Sequence, residues 1–369
     1  MGNASDQCPG AAACTQGGQT RFNLRSRQAN GLALLLIAIL IWGANWPVMK
    51  TGLSHITPIW FSASRFVTGA ACLFALQLIT GTLRLPTRRD LPLLLSVGLL
   101  QMLAFTVLGS VAMADIPAGR SAVLAYTTPL WVLPAAVLFF RERLTRTQLI
   151  GTLLGIAGVA VLFNPMALDW NNGLIIRANL LLLCASLCWA ICILHLRYYK
   201  GDSSAYQLAP WQMLVASAPL LILARAVEGP FSGDGSRTFW EVILFVGPLA
   251  TAFCFCAVNA ASMWLSSTSM ASAMLGVPIV GLLMSVAMLG EHLTPSLTAG
   301  VIAIAGGILF VTMGSRKPGP RPEAAGTTEA RKSSRRVLRI LAAMWMSGRF
   351  SNHLRKPLVR LPKMMCIFW

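Results

Sequence analysis

Residues 118–163 read AGRSAVLAYTTPLWVLPAAVLFFRERLTRTQLIGTLLGIAGVAVLF, and the pattern in them occurs twice in the chain. A shift of 149 residues carries Pro129 onto Pro278, Glu142 onto Glu291, Leu144-Thr145 onto Leu293-Thr294, Gly151 onto Gly300 and Gly158 onto Gly307. In each copy an apolar run is broken by proline, leaves at an acidic turn and resumes as a short Gly-rich apolar run. An internal repeat governs how everything around it is read.

The surrounding composition names the solvent. Of 369 residues, 56% are hydrophobic and 11% charged, against about 25% charged in soluble domains. Ten apolar stretches lie at about 31–49, 58–79, 91–113, 119–140, 147–163, 178–196, 208–227, 240–264, 267–289 and 296–313. Each suffices to cross a hydrocarbon core of about 30 Å. Backbone groups in lipid must bond within their own segment, so these stretches are predicted to be helices. The expected fold class is all-α integral membrane.

The repeat reaches beyond the opening stretch. A shift of 147 maps Trp42 to Trp189, Lys50 to Arg197 and Arg65 to Gln212, and a shift of 149 maps Gly98 to Gly247 and Ser110 to Asn259. Each half then holds five helices, and an odd number turns the second copy upside down. Lys and Arg gather in cytoplasmic loops. With both termini cytoplasmic, the inner loops carry Arg84/Arg88/Arg89, Arg141/Arg143/Arg146 and Arg197/Lys200. The outer ones carry only Lys50, Arg120, Arg177, Arg225 and Arg237. Arg141, Arg143 and Arg146 become Gly290, His292 and Pro295 in the second copy, as expected if that turn changed sides.

The expected organisation is a disordered basic tail at 1–28, a first repeat at 29–163, a connector at 164–177, a second repeat at 178–314 and a basic tail at 315–369. From Ser315 onward thirteen Lys and Arg oppose Glu323 and Glu329, so this tail carries +11 of the net +18. Beside a membrane such a charge meets anionic lipid headgroups rather than nucleic acid. No short apolar core with a small-residue cleavage site opens the chain, so no cleaved signal peptide is expected. Cysteines inside the spans, Cys72, Cys184, Cys188, Cys192, Cys254 and Cys256, act as small apolar residues and not as a disulfide framework.

The Trp42-Gly43-Ala44-Asn45 pattern near the end of the first span, the prolines at 129 and 278 and the doubled Glu-x-Leu-Thr turn resemble the EamA family of the drug/metabolite transporter superfamily. The likeness covers roughly residues 31–313, and the tail after Gly319 departs from it. The resemblance implies ten helices around a central cavity, with export or exchange of small metabolites such as amino acids.

Inverted-repeat transporters bind at the bilayer midplane, where interrupted helices present carbonyls and dipoles. Pro129 is expected to free the Ala125 carbonyl and Pro278 that of Met274, with Tyr126, Thr127 and Thr128 adding hydroxyls. A neighbouring hydroxyl could instead satisfy either carbonyl. Pro47 should kink or loosen the first span. Arg65 is the basic residue inside a span. It costs about 2.5–3.5 kcal/mol there on insertion scales, so it either meets a substrate carboxylate or snorkels to the interface. Asn45, Gln101, Gln212 and Asn259 are cavity amides or interhelical glue. Trp42 and Trp189 complete the candidate cavity set. Glu142 and Glu291 are expected to pair with donors of the helix that follows each turn, with a gate or proton site as the sharper alternative; Thr145 and Thr294 are expected N-caps.

No nucleophile elbow, P-loop, metal-binding His-Glu helix or nucleotide fingerprint occurs, so neither an enzyme nor an ATP-driven pump is expected, and no cofactor or metal. The acidic residues all sit in loops, tails or span ends, which weighs against proton antiport through a buried carboxylate. The expected function is a secondary transporter, working by alternating access, in the bacterial inner membrane. Its partners would be a small-molecule substrate, the lipid bilayer and, in an admitted homodimer, a second copy. Two other classes compete. Cys184, Cys188, Cys192 and His195 follow helical spacing and could line a metal-ion permease, or the basic tail could make the chain a membrane scaffold or sensor.

Overall fold

The structure is a computed structural model that describes residues 10–140, 145–162, 170–265 and 267–314. Glu142, with Arg141 and Arg143, lies outside the described residues, as does the 315–369 tail. Among the described residues eight helical stretches are long and apolar enough to cross a membrane. They are α1 (Gln28–Gly52), α2 (Pro58–Ile79), α3 (Arg88–Asp115), α4 (Ala118–Phe139), α6 (Gly173–Tyr198), α7 (Ala205–Val227), α8 (Arg237–Ser262) and α10 (Pro295–Met313). Between them lie two shorter apolar helices, α5 (Arg146–Leu162) and Gly276–Leu289. The latter, with the preceding piece Ser267–Met274, forms α9. Large apolar side chains such as Leu138, Phe139, Ile222 and Ile302 point outward and exposed, as lipid-facing residues do. The chain is an integral, multi-pass membrane protein.

Local chemistry accounts for several details. The helix containing α1 runs back to Gly10, where disorder was expected, through the helix-favouring Ala11-Ala12-Ala13. It also passes Pro47 unbroken. Asn172 caps α6 by accepting from the amides of Leu174 and Ile175, so this helix starts inside the expected connector. The Thr145–Gln148 capping box forms as expected, and the Thr294 hydroxyl accepts from Leu297 N–H.

The two copies pack by one rule applied twice. α1 lies on α9 as α6 lies on α4, and α3 lies on α6 as α8 lies on α1. α2 pairs with α7, α4 with α9, and α5 with α10, each helix meeting its own counterpart. The α5–α10 seam shows the sense of the repeat. A Cβ on Gly151 would strike the Gly307 carbonyl, and one on Gly158 the Gly300 carbonyl at 2.9 Å. Since Gly151 corresponds to Gly300 and Gly158 to Gly307, the contacts cross. The two helices therefore run antiparallel, and the copies are inverted.

Charged side chains hold helix ends at two faces, and the carboxylates among them cross between the halves. On the first face Glu228 accepts from the amides of Ile59 and Trp60, both at 2.9 Å, and from the Thr57 hydroxyl. Lys50 donates to the carbonyls of Met113, Ala114 and Ile116 at the end of α3. Arg120, at the start of α4, donates to the Leu162 carbonyl at the end of α5. On the second face Asp90 accepts from the amides of Asp202 and Ser203 at 2.8 and 3.0 Å. Thr57 and Ser204 are equivalent under the shift of 147. The α2 and α7 starts are thus held alike, each by a carboxylate from the other repeat.

Glu291 corrects one expectation. It does not serve α10, the helix after its turn; its carboxylate accepts from Ala118 N–H at 2.6 Å and Gly119 N–H at 2.9 Å, the first amides of α4. A carboxylate at a helix N-terminus satisfies orphan donors and complements the dipole. Glu291→Ala should cost about 1–2 kcal/mol of stability by the magnitude of helix caps. Hydrogen exchange should quicken at Ala118–Gly119 first, and unchanged exchange there would refute the role.

Also on the first face, His55 Nδ1 lies 2.6 Å from Asp234 Oδ2, and Ser236 N–H donates to the same carboxylate. These bonds hold the Asp234 pKa down at about 2. A depressed carboxylate contributes stability above its unfolded value near ~3.9 and loses it as pH falls through the folded value. The 229–236 connection should therefore stay docked at pH 5 and release between about pH 4 and 2. Limited acid proteolysis at that loop would report it, and release already at pH 5 would contradict it.

Candidate functional site

The helix interruptions meet at one cavity of about 510 Å³ enclosed by α1, α2, α3, α4, α6, α8, α9 and α10. That volume suits a small metabolite. α4 breaks between Ala125 and Thr128, just before Pro129, and α9 breaks at Leu275, just before Pro278. α3 and α8 contribute π-helical segments, Ser96–Ala104 and Phe245–Phe253. These two segments are equivalent residue for residue under the shift of 149. A π-segment widens a helical turn and is a frequent mark of functional sites.

Each π-segment is seated by a glycine on the other repeat. Gly98 faces the Gln212 carbonyl and Val215 of α7, while Gly247 faces the Arg65 carbonyl and Thr68 of α2. The side chains around the second segment are linked in series. Thr251 donates its hydroxyl to the Val246 carbonyl (2.7 Å), which turns its lone pairs toward Arg65, and Arg65 Nε donates to that oxygen at 2.8 Å. A second guanidinium nitrogen rests 3.6 Å from the Met49 sulfur. Arg65 therefore lines the cavity and does not snorkel. Among the described residues no carboxylate pairs with it.

Aromatic rings form much of the remaining wall. Trp46 and Trp189 meet Tyr126 edge to face at 6.4 and 5.7 Å, and Phe105 meets Trp189 at 5.1 Å. Trp42 Nε1 donates to the Ala250 carbonyl of the π-segment at 2.7 Å. Among the described residues, Asn45 Oδ1 and Trp189 Nε1 in this wall are buried without a partner. A buried polar atom left unmade costs about 1–3 kcal/mol, which a ligand or a second conformation would recover.

Of the expected cavity residues, the structure places Trp42, Asn45, Arg65, Gln101, Tyr126, Thr128, Pro129, Trp189 and Pro278 along the wall. Three lie elsewhere. Thr127 is buried against α6, donating to the Leu124 carbonyl and bonded to the Ser186 hydroxyl. Gln212 is buried on α7 beneath Gly98, and Asn259 is buried on α8 with its amide donating to its own helix at Phe255. The carbonyl of Ala125 is not presented to a substrate, because the Thr128 hydroxyl covers it at 3.2 Å. The sequence reading missed Trp46, Met49, Phe105 and Thr251. Thr251 could have been found by carrying the shift of 149 one residue past Gln101.

The cysteine row does not line the cavity. Cys184 is exposed, Cys188 intermediate and Cys192 buried, with its thiol 3.7 Å from Gln101 Oε1. His195 is bonded to the Ser96 hydroxyl and stacked on Tyr199, away from the wall.

Among the described residues the cavity is closed toward the first face only. Toward the first face lies a dense core of Trp46, Ile56, Phe61, Met113, Ile116, Phe239 and Ile243, locked by the Lys50, Glu228 and Glu291 contacts. Toward the second face the lining continues to Thr312 near the end of α10 and to Arg197, exposed at the end of α6.

Comparison with known proteins gives consistent results. The family model described as the EamA-like transporter family matches residues 29–164 and again 176–313. A Salmonella typhimurium protein named as a probable amino-acid metabolite efflux pump is 28% identical over 79% of this chain and 97% of its own. A probable terminal-alkyne amino-acid exporter of Streptantibioticus cattleyicolor is 26% identical over 78% and 96%. An uncharacterized transporter of Bacillus subtilis is 24% identical over 75% and 95%. One crystal structure superposes with a TM-score of 0.55 at 19% identity, covering 78% of this chain and 98% of that one, a likeness of fold.

Proposed function

Because the chain belongs to the EamA-like transporter family, we propose that it is a secondary transporter that exports or exchanges a small amphipathic metabolite bearing a carboxylate, such as an amino acid. The carrying observation is Arg65, a half-buried guanidinium on the cavity wall with no carboxylate against it among the described residues. A substrate carboxylate would complete that charge, and the aromatic wall would take an apolar side chain. The relatives named for amino-acid efflux support the same class. In this reading all ten helical stretches cross a bacterial inner membrane, both termini are cytoplasmic, and anionic lipids meet the basic tails. The second face, with Arg84, Arg88, Arg89, Arg197 and Lys200, is then the cytoplasmic one. On that assignment the cavity opens to the cytoplasm.

Reconstitution into proteoliposomes with a panel of labelled amino acids, other carboxylates, amines and metal ions tests the proposal. Saturable flux of an amino acid or similar carboxylate is expected. Flux confined to metal ions, or no saturable flux of any solute, would sink it.

A further inference from the structure

Trp42 and Trp189 are equivalent under the shift of 147, as are Gln101 and Ala250 under the shift of 149. Each tryptophan faces the π-segment of the other repeat's counterpart helix, Trp42 on α1 against α8 and Trp189 on α6 against α3. The positions are equivalent, but the bonding is not. Trp42 Nε1 donates to the Ala250 carbonyl, whereas Trp189 Nε1 is buried with no partner, although Phe105, one turn along α3 from Gln101, lies 5.1 Å away. A molecule built from two inverted copies whose equivalent tryptophans are bonded differently is caught in one of two settings that exchange the roles of the copies. We propose that these tryptophans are the two arms of one switch: when the cavity opens to the first face, Trp42 leaves the Ala250 carbonyl and Trp189 donates to that of Gln101.

The exchange conserves hydrogen bonds, one indole bonded and one free in either setting, so neither setting is strongly favoured by it. A transporter needs that balance, because a large gap would trap it in one state. The wide turns of the π-segments suit the task, since a local change of helical register can present or withdraw a carbonyl without breaking the helix. This inference rests on the alternating-access reading above.

Hydrogen exchange on the full chain in lipid nanodiscs, without substrate, tests it. The reporters are Ile59–Trp60 and Ala118–Gly119 on the first face and Asp202–Ser203 on the second. Trp42→Phe should speed first-face exchange about fivefold and slow the second face, a shift in the state ratio of the size one net hydrogen bond supplies. Trp189→Phe should do the reverse, and the double variant should return toward wild type. β-(3-benzothienyl)alanine at either position keeps the bicyclic shape and removes only the N–H, so it gives the same answer if phenylalanine disturbs folding. Shifts of the same sign, or no shift on changing Trp189, would overturn the switch; the latter would make its N–H a ligand donor alone. Flux of the wild type is measured alongside. Its absence would count against the transport reading, while the exchange data judge the switch by themselves.

Discussion

Arg65→Ala should lower the flux of a carboxylate substrate about a hundredfold or more and leave the protein folded. A hydrogen bond to a charged group contributes about 1.5–3 kcal/mol, and a hundredfold change corresponds to ~2.7 kcal/mol. The same substitution removes a charge that costs about 2.5–3.5 kcal/mol to hold in a span. In the fold it forfeits mainly the 2.8 Å contact to Thr251. Loss of transport and retention of folding are thus expected together, which a purely structural arginine would not show. Arg65→Lys should fall between, down about tenfold, because it keeps the charge but not the planar fork. The comparison to make is flux of the free acid against its methyl ester, with thermal unfolding in parallel. Equal loss for acid and ester, or unchanged flux of the acid, would remove Arg65 from the substrate site.

The second large effect belongs to the α5–α10 seam. Gly151→Leu or Gly307→Leu should abolish most folded yield. A Cβ on either residue already runs into backbone of the facing helix, and backbone cannot step aside as a flexible side chain can. Close approach of small residues is also the chief source of attraction between helices in lipid, where burial offers no gain over lipid tails. Overpacking ordinarily costs about 1–3 kcal/mol, and here the loss of seam contacts adds to it. Gly109 is the control, since a Cβ there meets nothing within 4 Å. Gly109→Ala should express normally. If Gly151→Leu and Gly307→Leu both yield monodisperse protein at wild-type levels, the seam is not what joins the halves.

Reading residues as chemistry carried a long way for the scaffold. Span positions follow from hydropathy because lipid leaves the backbone no alternative to internal bonding. The repeat follows because equivalent residues recur at offsets of 147 and 149, and the inversion follows from the odd number of helices in each copy; the crossing contacts of Gly151, Gly158, Gly300 and Gly307 agree with it. The same logic failed where a side chain's direction mattered. Thr127 and Thr128 are adjacent in sequence, but one faces α6 and the other the cavity. Gln212 holds the position of Arg65 in the second repeat but is buried on α7 and lies outside the cavity lining.

What the sequence determined by itself was the class of solvent, the number of copies and their relative sense, since these depend on composition and offset alone. Only the tertiary structure decided which polar atoms converge and which remain without a partner. It joined Arg65 to Thr251, sent Glu291 across to α4, and bonded the Trp42 indole N–H while leaving that of Trp189 without a partner among the described residues. The physical reason is that helical rotation and the partner repeat fix these contacts, at separations of 172 to 208 residues. No local pattern of residue types carries such information.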